Sequence, residues 1–142
     1  MTLNALELFG ESIQKTQLWL NELRDELDWD HPAGVLAGLR ATLHTLRDRL
    51  SPAEAAHLGA QLPLLIRGLY YEGWRPAGEP WKARHRGAFV ARLKHEMRGH
   101  AGLKEPEAVA RAVFGVLSRH VSKGEIEDVI HLLPAEVRAL WP

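Results

Sequence analysis

Residues 36–70, LAGLRATLHTLRDRLSPAEAAHLGAQLPLLIRGLY, lie without a gap on residues 107–141, EAVARAVFGVLSRHVSKGEIEDVIHLLPAEVRALW. The shift is 71 residues. It superposes Arg40 on Arg111, Ala41 on Ala112, Leu46 on Leu117, Ser51 on Ser122, Glu54 on Glu125, Leu62-Pro63 on Leu133-Pro134, Arg67 on Arg138 and Leu69 on Leu140. Where identity lapses, apolar replaces apolar, as at Leu43/Phe114, Leu58/Val129 and Ile66/Val137. A repeat this long points to two copies of a supersecondary unit packed together rather than a solenoid of short repeats. With one residue slipped, Trp19-Leu20-x-x-Leu23-x-x-x-Leu27 also lies on Phe89-Val90-x-x-Leu93-x-x-x-Met97.

Within each copy the apolar residues recur every three or four positions, which stacks them on one face of a helix. Leu6, Phe9, Ile13, Leu20, Leu23 and Leu27 form one such stripe, and Leu36, Leu39, Leu43, Leu46 and Leu50 another. Strict alternation over a strand's length is absent. Helices are predicted near 4–29, 33–50, 52–72, 82–100, 106–121 and 123–133, with a short piece from Pro134 to Trp141 continuing after a kink. Pro32, Pro52, Pro80 and Pro106 fall between the periodic segments, where helices start and stop. The expectation is an all-α chain: a tandem duplication of a three-helix unit in one six-helix, bundle-like domain spanning 1–142. Its pseudo-repeats run over about 1–72 and 82–142, joined by 73–81. A half of about 70 residues would be marginal alone, so one shared core is expected.

Two repeated features are read as architecture. Ser51-x-x-Glu54 and Ser122-x-x-Glu125 have the form of capping boxes, in which the Ser oxygen takes an orphan amide and the Glu returns to the Ser amide. Leu-Pro-x-x-[Ile/Val]-Arg-x-Leu-aromatic places a proline inside a helical pattern. There it should bend the helix and turn Tyr70 or Trp141 toward the core.

The run Leu62-Pro63-Leu64-Leu65-Ile66-Arg67-Gly68-Leu69-Tyr70-Tyr71-Glu72-Gly73-Trp74-Arg75-Pro76, together with the ending Leu133-Pro134-Ala135-Glu136-Val137-Arg138-Ala139-Leu140-Trp141, resembles the bacterial family called domain of unknown function 2267. The resemblance extends over essentially the whole chain. It implies a duplicated helical bundle in a bacterial protein of uncharacterised role, and no catalytic residues to carry over.

Composition narrows the chemistry. The 142 residues contain 18 Lys plus Arg, 18 Asp plus Glu, eight His and no Cys. Zero net charge disfavours a general nucleic-acid binder. The lack of Cys removes thiolate nucleophiles, Cys-ligated zinc and iron–sulfur clusters. No apolar run reaches the length of a membrane span, and residues 1–7 lack the order of a secretory signal, so a cytoplasmic protein is expected. Ser12, Ser51, Ser118 and Ser122 sit in no nucleophile elbow, and no Gly-rich phosphate loop is present. Nothing in the sequence points to an enzyme, and no cofactor is expected. Glu54-x-x-His57 has the spacing of a di-iron bundle motif, and its mate Glu125-x-x-Asp128 keeps two oxygen ligands. Both Glu residues, however, double as caps at exposed helix starts, so no metal is assigned. His95 and His100, five apart, do not make a zincin pair. Of the eight His, only the pairs His95/His100 and His44/His57 are spaced to meet in a bundle.

Charge is unevenly distributed. Residues 1–30 hold seven acids against two bases, and residues 75–104 hold eight bases against two acids. Helices of opposite sign can complement each other within one molecule or between molecules. Tyr70, Tyr71, Trp74 and Trp81 fall within twelve residues broken by Gly73, Pro76, Gly78 and Pro80. A plain spacer has no use for two Trp residues, and Trp, Tyr and Arg dominate binding hot spots. The expected function is a non-enzymatic protein-interaction or scaffold module that binds a protein partner or itself. Its contact surface is placed at Tyr70, Tyr71, Trp74, Arg75, Trp81, Arg84 and Arg92. The alternative is a small metal- or ligand-binding bundle or an enzyme built on Glu54, His57 and neighbouring carboxylates.

Overall fold

The computed structural model describes residues 1–76, 85–100 and 104–142. Among them all regular structure is helical: α1 (Ala5–Leu8), α2 (Gly10–Leu27), α3 (Pro32–Arg49), α4 (Pro52–Ala60), α5 (Leu64–Tyr71), α6 (Arg86–Glu96), α7 (Pro106–His120), α8 (Lys123–Leu132) and α9 (Ala135–Arg138). The predicted helix over 82–100 is seen as α6, and its residues 82–84 lie outside the described residues.

Helices α3 and α7 pack side by side at the centre. Each is apolar around much of its circumference, as a helix flanked on several sides must be. Leu39, Leu43 and Leu46 on α3 and Val113, Phe114 and Leu117 on α7 are fully buried. A Cβ on Gly38 would lie only 2.9 Å from Val109 Cγ1, so glycine is what lets the two backbones approach there. Around this pair α2 lies against α3 and α7, α6 against α3 and α7, α5 against α3, and α8 against α4 and α7. One cluster of buried apolar residues runs from Trp19 to Trp141.

The predicted first helix, 4–29, is two. Asn4 Oδ1 caps α1 through the amides of Leu6 and Glu7. At Phe9 (φ −107°, ψ 12°) the helical geometry lapses for one residue before α2 begins. The C-terminal end of α2 closes on Asp28 in the left-handed region, with the Trp29 amide donating to Arg24 O at 3.1 Å and the Asp28 amide to Asp25 O. The larger correction concerns the stripe. Leu23 and Leu27 are buried as expected, but Leu6 is 74% exposed, Phe9 49% and Ile13 39%. The body covers α2 only along its later turns.

The predicted helix 52–72 is also two, α4 and α5. Pro63 does not bend one helix; it stands extended (ψ 151°) at the head of a second. The carbonyls freed by the break are taken by Arg67, whose Nε donates to Gly59 O at 3.0 Å and whose Nη2 donates to Leu62 O at 2.9 Å. Pro134 stands likewise before α9, and Arg138 Nε donates to Leu133 O at 2.8 Å. The Arg of the repeated motif is thus a carbonyl cap over the Leu-Pro break. Both closing aromatics point inward as expected. Tyr70 is fully buried with its hydroxyl donating to Ala55 O at 2.7 Å, and Trp141 stacks on Phe114 at 4.2 Å.

Candidate functional site

Ser51 and Glu54 form both arms of the expected capping box. At Ser122 only one arm exists, because its amide donates to Gln61 Oε1 at 3.3 Å instead of to Glu125. The Glu125 carboxylate is then free to face α4, and Glu54, His57, Glu125, Asp128 and His131 share a depression of about 450 Å³. Burial, then the Asp128 charge, push the Glu125 carboxyl up from the usual range, with His57 opposing. Among the described residues no three His, Asp or Glu side chains are grouped as a metal ion would require. His44 does not turn to His57: its Nε2 bonds Leu69 O at 2.6 Å, and burial holds its pKa below 6.5.

The aromatic row closes over the body. Tyr70 is a core residue and is unavailable to any partner, a correction to its place in the expected contact surface. Tyr71 is half-buried between Tyr70 and Trp74, with ring centroids 5.0 and 5.2 Å away, and Trp74 packs against the core. Arg75 is exposed. Trp81 and Arg84 lie outside the described residues. Arg92 reaches Asp48 Oδ2 at 2.5 Å, and Asp48 in turn receives Arg47 Nε at 2.8 Å. On α6, Arg86 pairs with Glu107 at 3.3 Å and Arg92 with Asp48, while the α2 acids Glu22 and Glu26 meet α7. Arg119 on α7 bridges Glu22 (2.9 Å) and Glu26 (2.6 Å), because α7 is the helix lying against α2.

A second concavity lies elsewhere among the described residues. A groove of about 610 Å³ runs between the start of α2, the α4–α5 connection and the end of α7. On its lining Trp19 stacks on His120 at 5.1 Å, and His120 Nε2 bonds Glu22 Oε2. Burial pushes the Glu22 carboxyl up, but the hydrogen bonds from His120 and Arg119 and their charges outweigh it and leave its pKa below 4.5. The rim is apolar and open: Leu8 is 64% exposed and Leu18 and Leu64 are each 51% exposed. The two walls are tied by Ser12, whose Oγ accepts the Leu65 amide at 3.2 Å and so caps α5 from α2. Helix α5 is therefore a fixed platform. Ser12 holds its first turn, Arg67 its entry, Tyr70 its inner face, and Arg47 Nη1 its end, through Tyr70 O and Glu72 O at 2.8 Å each.

A family model described as an uncharacterised conserved protein, DUF2267, matches residues 16–140. The chain belongs to that family. The DUF2267 match begins inside α2, so Leu8, Phe9, Glu11 and Lys15 on the groove precede it, while Leu18, Trp19, Leu64, Arg67 and His120 fall within it. No curated protein matches the chain. Sequence periodicity placed Leu6, Phe9 and Ile13 on a core stripe and missed the groove. The signal that could have found it is the crowding of Leu and Phe at both ends of that stripe, more than one face can bury.

Proposed function

We propose that this DUF2267 protein is a non-enzymatic interaction module whose principal contact surface is the apolar end formed by α1, the first half of α2 and the start of α5. One observation carries this. Among the described residues the exposed large apolar side chains, apart from Met1 and Leu132, lie in or beside it: Leu3, Leu6, Leu8, Phe9, Ile13 and Leu18, then Leu64 and Leu65. Exposed apolar side chains gathered at one end of a protein mark an interaction site. Trp74 and Arg75 are a second candidate surface, and Trp81 and Arg84 lie outside the described residues. The alternative of a metal- or ligand-binding bundle is less favoured, since the Glu54 carboxylate is engaged by the Ser51 amide at 3.1 Å.

In this reading the chain is one domain of two pseudo-repeats. Supporting it are the paired helix starts at Ser51 and Ser122, the paired carbonyl caps at Arg67 and Arg138, the paired inward aromatics Tyr70 and Trp141, and the central pairing of α3 with α7. Among the described residues no helix is long and apolar enough to cross a membrane.

The test is photo-crosslinking in cells with a benzophenone amino acid at position 64, compared with position 123 on α8, where the Lys side chain is 92% exposed. A discrete adduct at 64 and none at 123 is expected. No adduct at 64 would overturn the proposal.

A further inference from the structure

The groove-side residues of α1 and α2 read Leu8, Glu11, Lys15, Leu18, and the α2 steps of four and three keep Glu11, Lys15 and Leu18 on one stripe. All four line the groove. Leu8 closes α1 and the other three stand on α2; between them the Phe9 amide donates to Ala5 O at 2.9 Å and the Phe9 carbonyl accepts the Ile13 amide at 3.0 Å. Apolar, acidic, basic, apolar is an order that matches itself when one copy is reversed. Antiparallel pairing centred near residue 13 sets Leu8 against Leu18 of the other copy and Glu11 against Lys15 of the other copy, twice each. Opposite charges and apolar ends then meet at every contact, which is what a twofold interface requires of one surface.

We infer that the partner of this surface is a second copy of the chain, bound antiparallel through this stripe with Leu64 and Leu65 at the rim. This rests on the interaction-module reading. The Glu11 and Lys15 side chains are 82% and 56% exposed and so are available to a partner, although they also pair within the helix at 3.1 Å. Flanking the charged pairs, Leu8, Leu18, Leu64 and Leu65 are 64%, 51%, 51% and 44% exposed and supply the apolar part of the contact.

The experiment is sedimentation equilibrium of the purified chain with Glu11→Lys and Lys15→Glu. The wild type is expected to sediment as a dimer. Each variant alone sets like charges opposite each other and should weaken the dimer about tenfold or more. An equimolar mixture restores both opposed pairs and should dimerise again, which a broken contact within one helix could not do. Leu18→Glu should sediment as a monomer with unchanged helical circular dichroism. A wild type that stays monomeric, or a mixture that fails to recover, overturns the inference. A monomeric wild type that still gives an adduct of foreign mass at position 64 leaves the interaction module standing with another occupant; no adduct at all removes both.

Discussion

Arg47 sits 4% exposed at the last turn of α3, and its guanidinium is the clamp on the end of α5. Replacement by Met keeps the aliphatic stem in place and removes the donors. Tyr70 O, which is buried, then has no partner, and Glu72 O, which is partly buried, must find water. A buried carbonyl left unsatisfied costs about 1–3 kcal/mol, and bonds from a charged donor stand at the upper end. The Glu72 side adds less because solvent can reach it. The expected loss for Arg47→Met is about 3 kcal/mol, a large part of the ~5–15 kcal/mol that holds a domain of this kind together. Asp48 keeps Arg92, so no bare charge is created and the loss should not go higher. Urea unfolding followed by circular dichroism measures it, with the slope unchanged if the denatured state is unaffected. The corresponding fall in Tm is about 10 °C. Native-state amide exchange should accelerate in α5 before α3. A loss under about 1 kcal/mol, or exchange that rises uniformly, would refute the clamp.

His44 is held neutral, its Nε2–H donating to Leu69 O, with a pKa held below 6.5 by burial. The unfolded chain therefore takes a proton first as pH falls, so this contribution to stability is full above pH 6.5 and declines below it. His44→Gln should flatten the fall in urea midpoint between pH 7.5 and 5.5 relative to wild type, and parallel curves would count against it. At Gly34 an added Cβ would overlap the Trp29 indole, which is buried at 7% exposure. Gly34→Ala should cost about 1–3 kcal/mol and change the near-UV circular dichroism, and an unchanged midpoint would show that the ring turns aside freely.

Helix type and most helix starts were legible because both are local. Three- and four-residue spacing of Leu and a Ser three residues before a Glu act within one or two turns, as at α3, α4 and α7. What escaped depends on partners far along the chain. The two Ser-x-x-Glu boxes at Ser51 and Ser122 behave differently because Gln61 intrudes on the second. Pro63 announced a disturbance, but whether the chain bends or breaks depended on Arg67 reaching back to Gly59 and Leu62. Periodicity also says which side of α2 is apolar and nothing of how far the body extends to cover it, so Leu6, Phe9 and Ile13 were misplaced. The aromatic row was legible as a cluster, yet Tyr70 had an acceptor waiting at Ala55 that drew it inside.

The contact between α2 and α7 ties Glu22 to Arg119 across 97 residues. During synthesis at ~5–20 residues per second, α2 leaves the ribosome roughly 5–20 s before the helix that will cover Trp19 and Leu23. Closing so long a loop is also intrinsically slow. The first half of the chain therefore cannot finish folding as it emerges, and its N-terminal helix spends that interval as an uncovered amphipathic segment. Nascent chains stalled before residue 106 should thus be protease-sensitive in α2, and acquire protection only once α7 has cleared the exit tunnel.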